Sequence, residues 1–285
     1  MSHFKVLVIG DDVESQLQPY HQYESTGHED EYVKFVPTEE SLEEMTAKYE
    51  EHKEEGQTFE EFIKDWYGYK QNEKGVWGRK TNPNSKWDWW VIGGRWTGFL
   101  KFKQGAKGLL GRPGVFGNEP KEGGVDIIRK GDVDWDGMKK ESGEKASIKW
   151  DLVNEGIKDT PEHESWGSII ERMKEDIKKA LDFFHNQERV VAFKEVCNKN
   201  QDKFGLYDSL EDYICPKDEY VERKMNSSIT TYAVVKDSVW YQKGDMGWWG
   251  ISSNEMSQDE WNQKFWEIIQ STPDDEIITL VDAHI

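Results

Sequence analysis

The sequence has only two cysteines and no long apolar run. Cys197 and Cys215 are 18 positions apart, which is neither a disulfide framework nor the spacing of a zinc knuckle. No apolar stretch approaches the roughly 18 residues of a transmembrane helix, and the N-terminal apolar run is too short for a secretory signal. We therefore expect a soluble, cytoplasmic protein with no membrane partner.

Positive charge is also scarce. The 285 residues include 37 Lys and Arg against 56 Asp and Glu, which gives a net charge of −19. Such a chain repels phosphate backbones and anionic lipid, which argues against direct nucleic-acid binding and against a membrane-surface protein. We expect the partner to be a protein with a basic surface or a small anionic ligand.

Aromatic residues are abundant instead. Fourteen Trp, 11 Tyr and 12 Phe supply a large buriable area in a chain that is only 35% hydrophobic. Disordered chains are poor in aromatic residues, so we expect a folded protein.

Strand patterns at both ends of the chain and helical patterns between them predict an α+β fold. His3–Ile9 is rich in β-branched residues and stops at Gly10, and residues 277–285 form a similar run at the C-terminus. Capping boxes at Thr58 and Ser257 each predict the start of a helix. We expect an antiparallel or mixed sheet that contains both terminal strands, with three or four helices packed on it.

Glycine is concentrated between residues 105 and 150, which hold ten of the 25 glycines and no regular periodicity. We interpret this stretch as a long loop region. From residue 160 to about residue 198, apolar residues recur at helical spacing. The chain is thus interpreted as a single α+β domain over residues 1–285. The alternative organisation has a helical lobe at 150–215, joined through the 105–150 loop region.

The densest aromatic stretch lies between residues 87 and 102 and predicts a hairpin of strands 87–92 and 97–102. The turn between them contains Gly93 and Gly94, and we call it the Gly-Gly turn. An arginine after two glycines can bring a bidentate donor to a phosphate or carboxylate, and indoles can stack on a base or sugar. The alternative is that the indoles fill the core of a small sheet and the arginine pairs with an acid. The predicted ligand-binding residues are Trp87, Trp89, Arg95, Trp96 and Arg112.

Histidines and one acid near the chain ends form a second candidate site. Asp282 and His284 alternate on the last strand and project from one face, and His3 approaches them if the terminal strands are neighbours. With His21 from the first loop, they make a hydrolytic set for a divalent metal, with one position left for water. The alternative is that these histidines are solvated or cap a neighbouring carbonyl.

Acidic residues cluster between Glu29 and Asp65, where there are 14 Asp and Glu against 4 Lys. Such a surface can dock on a basic partner and steer association. The alternative is a solvated helix face that keeps the protein soluble. The predicted partner-binding residues are Glu43, Glu44, Glu50 and Glu51.

No strong catalytic signature accompanies these sites. The sequence contains no phosphate-binding glycine pattern, no GxSxG and no HExxH. Cys197 and Cys215 do not lie in the sequence environment of a reactive cysteine. The sequence therefore favours a binding protein over an enzyme and leaves both open.

Several segments resemble a group of uncharacterised proteins encoded by bacteriophages and prophages. The similarity covers most of the chain in patches, and its most specific part is the long Trp-rich string. The segments are MSHFKVLVIGDD, PYHQYESTG, NPNSKWDWWVIGGRWTGFLK and KGDMGWWGI…TLVDAHI. The resemblance implies an accessory viral protein, found in the host cytoplasm, and brings no established activity.

Two functions remain open from the sequence. The first is a phage-encoded accessory protein that binds a host protein or sequesters a small nucleotide-like ligand, and so inhibits host anti-phage defence. The second is a metal-dependent hydrolase or nucleotide-processing enzyme, in which Arg95 holds an anionic substrate. Its metal ligands are predicted to be His3, His21, Asp282 and His284.

Overall fold

The fold class is α+β, and both terminal strands belong to one mixed sheet in the computed structural model, as the sequence predicts. The structure describes residues 2–113, 119–174, 176–205, 208–247 and 251–285. Residues 248–250 of the C-terminal Trp-rich motif lie outside this part of the chain. Within it, none of the helices combines the length and apolar character needed to span a bilayer.

The described residues form fourteen strands. In chain order they are β1 (His3–Ile9), β2 (Lys34–Pro37), β3 (Lys70–Gln71), β4 (Trp77–Thr81), β5 (Trp89–Gly94), β6 (Leu100–Lys101), β7 (Arg112–Pro113), β8 (Gly124–Val125), β9 (Ile127–Arg129), β10 (Ala233–Lys236), β11 (Val239–Gln242), β12 (Asp245–Met246), β13 (Ser252–Ser253) and β14 (Ile277–His284).

The same residues form ten α-helices, so the prediction of three or four was wrong. They are α1 (Val13–Leu17), α2 (Tyr23–Thr26), α3 (Leu42–His52), α4 (Phe59–Tyr67), α5 (Trp135–Ile157), α6 (Trp166–Met173), α7 (Ile177–His185), α8 (Glu188–Lys199), α9 (Lys217–Ser227) and α10 (Gln258–Ser271). The helical pattern of residues 160–198 is broken into three helices, because Asp176 and Gln187 are N-caps of new ones.

The main sheet has the strand order β11-β10-β1-β14-β5-β7, and β9 also pairs with β14. β1 runs parallel to β10 and antiparallel to β14. Seven residue pairs join β1 to β14, from His3 with His284 to Ile9 with Ile278. The prediction that the terminal strands share a sheet is therefore confirmed, and they are direct neighbours.

The predicted hairpin of strands 87–92 and 97–102 is not formed. β5 pairs instead with β14 and, through its last two residues, with β7, while β6 pairs with β8. The chain between β5 and β6 is held by hydrogen bonds to buried carboxylates from other elements, which are described below. Local aromatic content could not reveal these distant partners.

The two faces of the main sheet differ in character. One face carries an apolar core whose buried members are Phe4, Val6, Val8, Leu17, Ala233, Val235, Val281 and Ala283. On the opposite face, Leu7, Ile9, Ile278 and Leu280 are buried near one end of the strands. The other end of this second face is polar and contains the candidate site.

The chain divides into two compact units. The first comprises Met1–Val133, Thr231–Met256 and Ile269–Ile285, and it contains all of the described strands. The second comprises Asp134–Thr230 and Ser257–Ile268, and the segment 150–215 lies inside it. Its buried core consists of Ala146, Val153, Ile157, Val190, Phe193, Leu210, Tyr213 and Tyr220.

The prediction of one loop region over residues 105–150 was wrong, because β7, β8 and β9 lie within it and α5 begins at Trp135. The Asp134 side chain caps this helix by accepting a hydrogen bond from Gly137 N at 3.0 Å. Gly143 lies where α5 packs on α9, and a Cβ there would come within 2.9 Å of the Met225 side chain. This glycine therefore permits close helix packing and does not indicate a loop.

Candidate functional site

Five polar or aromatic side chains lie on one face of the main sheet, where β1 begins and β14 ends. His3 and Lys5 alternate on β1, and Asp282 and His284 alternate on β14. The register pairs His3 with His284 and Lys5 with Asp282. Trp89 of β5 lies opposite His284 on the other side of β14. Since alternate residues share a face, these five side chains form one surface, which we call the polar face.

Each histidine of the polar face is bound to a carboxylate through Nδ1. His3 Nδ1 lies 2.8 Å from Asp282 Oδ1, and His284 Nδ1 lies 2.6 Å from Asp88 Oδ1. The two imidazole side chains keep only 9% and 5% of their surface exposed. A hydrogen bond at Nδ1 fixes the ring orientation and the tautomer, and it leaves Nε2 for another partner.

Three rings of the polar face are in mutual contact. The centroids of His3 and His284 are 4.8 Å apart, and each lies 5.1 Å from the centroid of Trp89. Trp89 stacks on His284 at an interplanar angle of 17° and meets His3 edge-on. The indole therefore holds the two imidazoles in place, in addition to the carboxylates.

The buried carboxylate of Asp282 joins the polar face to the turn that follows β5. Its Oδ2 accepts a hydrogen bond from Arg95 N at 2.9 Å. Gly94 has a φ of 54°, and a Cβ there would collide with the same carboxylate. The second glycine of the Gly-Gly turn is therefore required by a left-handed backbone and a close approach. The side chain of Arg95 is exposed beside the polar face.

A second fully buried carboxylate, Asp126, holds the other side of this turn. It accepts hydrogen bonds from Thr97 Oγ1 at 2.9 Å, from Gly98 N at 2.7 Å and from Gly111 N at 2.8 Å. A Cβ on Gly93 would collide with it. Because buried carboxylates need several donors, Asp126 and Asp282 together fix the conformation of the turn.

Lys5 brings an ammonium group to the polar face, where it lies over an aromatic ring. Its Nζ lies 4.2 Å from the centroid of the Phe99 ring, and the Nζ of Lys121 lies 5.4 Å from the same centroid. Burial, and to a lesser extent the charge of Lys121, lowers the pKa of Lys5 to about 8. In the described part of the chain, no carboxylate lies within 4 Å of the Lys5 ammonium.

Trp87, one of the predicted ligand-binding residues, belongs to the apolar core. Its Nε1 donates a hydrogen bond to Leu17 O at 2.9 Å, and its ring packs against Trp90 on the core side of the sheet. Trp87 lies two residues before β5 begins at Trp89. The alternation of a strand therefore does not extend to Trp87 and does not put it on the same face as Trp89.

The other predicted ligand-binding residues lie on or near the Gly-Gly turn. Trp96 is partly buried in the turn, and its backbone N donates to Gly93 O at 3.0 Å. Arg112 is exposed on β7, where it pairs with Gly93 in the register. Arg95 and Arg112 therefore lie on the two segments that meet at this turn, while Trp89 lies on the polar face itself.

His21 does not join the polar face. Its Nδ1 lies 2.9 Å from Thr26 Oγ1, and its Nε2 lies 3.2 Å from Asp30 Oδ2. The ring of His28 approaches it with a centroid distance of 5.7 Å. The buried His21 thus belongs to a separate histidine-carboxylate group.

The predicted metal set is only partly assembled. The structure brings His3, Asp282 and His284 together, adds Asp88, and leaves His21 in its own group. Among residues 2–113, 119–174, 176–205, 208–247 and 251–285, no three His, Cys, Asp or Glu residues are arranged to hold a metal ion. Asp282 and Asp88 bind the two imidazoles, so this donor set does not fit a shared metal.

Three of the four predicted partner-binding glutamates have local hydrogen bonds or ion pairs. Glu44 belongs to the capping box of α3, where its carboxylate accepts from Ser41 N at 2.8 Å. Glu50 pairs with Lys53 at 2.7 Å, and Glu51 with Lys48 at 3.3 Å. The fourth is Glu43, which is exposed in the first turn of α3.

Sequence reasoning missed Lys5, Asp88, Phe99 and Lys121. A signal for Lys5 was present, because it is two residues from His3 and therefore shares its face of β1. Asp88 directly precedes a strand that lies beside the last strand, but only the register shows that it reaches His284. Phe99 and Lys121 come from loops, for which the sequence contains no comparable pattern.

Comparison with known proteins does not extend this description. No protein-family model, curated protein or solved structure matches the chain. Function is therefore inferred from the residues of the polar face and their surroundings.

Proposed function

We propose that the protein binds a small phosphorylated, nucleotide-like ligand at the polar face. The observation that supports this most directly is the pair of ammonium groups, from Lys5 and Lys121, at the ring of Phe99. The protein has a net charge of −19 and therefore many carboxylates. In the described residues, none of them lies within ion-pair distance of the Lys5 ammonium.

An anionic ligand would relieve an electrostatic cost at this place. A partly buried ammonium without a counter-ion destabilises the fold, and a second ammonium nearby adds repulsion. A phosphate group supplies the missing negative charge and accepts charge-assisted hydrogen bonds from lysine. The same group can accept a hydrogen bond from the Nε2 atom of His3 or His284.

The surroundings of the polar face suit the remainder of a nucleotide. Arg95 and Arg112 are exposed on the two segments of the neighbouring turn, and an exposed guanidinium can stack on a base or bind a further phosphate oxygen. The turn is held by Asp126 and Asp282 before any ligand arrives, so little ordering is needed on binding.

The setting we propose follows the resemblance to phage-encoded proteins. In a host cytoplasm, an accessory protein that removes a nucleotide-like signal would weaken a defence that depends on this signal. This part of the proposal depends on the sequence resemblance alone, while the ligand class depends on the polar face.

Isothermal titration calorimetry with AMP, adenosine and inorganic phosphate tests the ligand class. We expect AMP to bind, adenosine to bind at least tenfold more weakly, and Lys5→Gln to reduce AMP affinity by about 10–100-fold, because hydrogen bonds to charged groups contribute about 1.5–3 kcal/mol. Lys74→Gln is the matched control, since Lys74 is an exposed lysine between β3 and β4 and should leave AMP affinity unchanged.

Besides the absence of AMP binding, two results would contradict the proposal. One is equal affinity for AMP and adenosine, which would show that the phosphate is not recognised. The other is an equal loss of AMP affinity in Lys5→Gln and Lys74→Gln, which would show only the general effect of removing a positive charge.

A second candidate function is docking of α3 on a host protein with a basic surface. It is favoured by the exposure of Glu43 at the start of this helix. Of the four predicted glutamates, Glu43 is the one whose charge reversal disturbs neither a helix cap nor an ion pair within the described residues.

A further inference from the structure

We propose that the polar face also cleaves small ribonucleotide phosphodiesters, with His3 and His284 as the acid-base pair. This inference rests on the proposed function, because the phosphate must first be held beside Lys5. It differs from the enzyme that the sequence left open as the alternative, which was a metal-dependent hydrolase or nucleotide-processing enzyme with His3, His21, Asp282 and His284 as metal ligands.

The arrangement of the two histidines is that of a proton-transfer pair. Each imidazole is held by a carboxylate at Nδ1, 2.8 Å from Asp282 and 2.6 Å from Asp88. Within the described residues, neither Nε2 makes a hydrogen bond or an ion pair. A carboxylate at Nδ1 stabilises the imidazolium that forms when Nε2 accepts a proton.

The separation of the rings suits one phosphorus atom. Their centroids are 4.8 Å apart, which lets two oxygens bound to the same phosphorus approach one ring each. General acid-base catalysis requires roughly 2.6–3.2 Å between such an oxygen and Nε2. Trp89 contacts both rings at 5.1 Å and limits their motion. The two tethered imidazoles are therefore close enough to act on a single reacting group.

An acid-base pair moves protons and does not itself supply a strong nucleophile. The reaction that it serves best brings its own nucleophile in the correct place, as the 2′-hydroxyl of a ribonucleotide does beside a 3′-phosphodiester. Attack by a neighbouring group has a large advantage in effective concentration over attack by water. The substrate class is therefore a phosphodiester with an adjacent ribose hydroxyl.

The step balances without a further reactant. One Nε2 takes the proton of the 2′-hydroxyl while the 2′-oxygen forms a bond to phosphorus. The bond between phosphorus and the 5′-oxygen of the leaving nucleoside breaks, and this oxygen takes a proton from the other, protonated Nε2. The products are a 2′,3′-cyclic phosphate and a free 5′-hydroxyl, and solvent exchange restores the two histidines.

The lysines and the net charge set the limits of this substrate. Lys5 shares its face of β1 with His3 and can offset negative charge on the non-bridging phosphoryl oxygens, while Lys121 lies at the same Phe99 ring as Lys5. A net charge of −19 opposes the approach of a long polyanion. The substrate is therefore a dinucleotide or a similarly short molecule.

The experiment uses the full chain and the dinucleotide adenylyl-(3′→5′)-adenosine, in the presence of EDTA. Phosphorus NMR follows the formation of adenosine 2′,3′-cyclic phosphate. We expect turnover by the wild-type protein and no cleavage of the 2′-deoxy dinucleotide. His3→Gln and His284→Gln should each lower kcat by about 100-fold or more, and a circular dichroism spectrum that matches that of the wild-type protein shows that these variants are folded. His52→Gln, on α3, is the control and should keep full activity.

Three results would overturn the inference. Wild-type protein that binds AMP but leaves the dinucleotide intact would remove the activity and leave the proposed function standing. Cleavage of the deoxy dinucleotide at the same rate would show that the 2′-hydroxyl is not the nucleophile. Activity that disappears only with EDTA would assign the chemistry to a metal. Absence of AMP binding, by contrast, would contradict the proposed function itself.

Discussion

Single residues at the Gly-Gly turn explain why the polar face is preformed. Asp282 contacts His3 through one carboxylate oxygen and Arg95 N through the other. A short aspartate can do this only because Gly94 has no side chain. Asp282 therefore couples the orientation of the His3 imidazole to the conformation of the turn that carries Arg95.

Replacement of Gly94 tests this coupling at the residue scale. We expect Gly94→Ala to lower the free energy of unfolding by about 3 kcal/mol, because it combines left-handed strain with displacement of a buried carboxylate. Gly75→Ala is the matched control: Gly75 has a φ of 73° and open space around it, so it should cost only about 1–2 kcal/mol. Urea denaturation measures both. Equal losses in the free energy of unfolding would show that the Asp282 carboxylate moves aside at no energetic cost.

Lys5 should make stability depend on pH in the alkaline range. Its pKa is about 8 in the folded protein, against 10.5 ordinarily, so between these values the unfolded chain binds a proton that the native chain does not. Stability therefore rises with pH in this window. Relative to Lys5→Met, which has no titrating group, the wild-type protein should gain on the order of 2 kcal/mol between pH 8 and 10.5. If the free energies of unfolding of the two proteins changed equally with pH across this range, the lowered pKa of Lys5 would be contradicted.

At the scale of elements, patterns within a segment were predictable and pairings between segments were not. The capping boxes at Thr58 and Ser257 correctly marked the starts of α4 and α10, since their hydrogen bonds are local. The alternation of Asp282 and His284 was also readable. The hairpin around Gly93 was wrong, because Arg95 N bonds to a residue 187 positions away.

The acidic helix α3 shows how one sequence feature divides into different roles. Glu44 is a capping residue, and the pKa of its carboxyl is lowered by hydrogen bonds from the backbone and side chain of Ser41. Glu43 beside it has no such role. Net acidity alone could not distinguish the two, because both satisfy the same charge pattern.

Charge reversal at these two positions should therefore have different effects. We expect Glu44→Lys to lower the Tm by about 2 °C or more, because the capping box is lost and a cation is placed at a helix N-terminus. Glu43→Lys also places a cation in the first turn but leaves the capping box intact, so it should lower the Tm by less and is the suitable variant for testing protein docking. Differential scanning calorimetry measures both, and a similar decrease in both would indicate a general effect of charge on this helix.

At the scale of the whole molecule, the site is a local exception to a strongly acidic chain. The fold class and the pairing of the terminal strands were predictable from residue patterns, and so was the meeting of His3, Asp282 and His284. Three features were not predictable, because they depend on register and on loops. They are the separate position of His21, the contact of Asp88 with His284, and the Lys5 ammonium without a carboxylate nearby in the described residues. All residues of the polar face belong to the first of the two units.

The central claim is that the Lys5 ammonium binds the phosphate group of a nucleotide-like ligand. The most direct test compares the affinities of the wild-type protein and Lys5→Gln for AMP. We expect binding by the wild-type protein that weakens by about 10–100-fold in the variant, with adenosine bound poorly by both. Identical affinity of the two proteins for AMP, or no binding by either, would contradict the account.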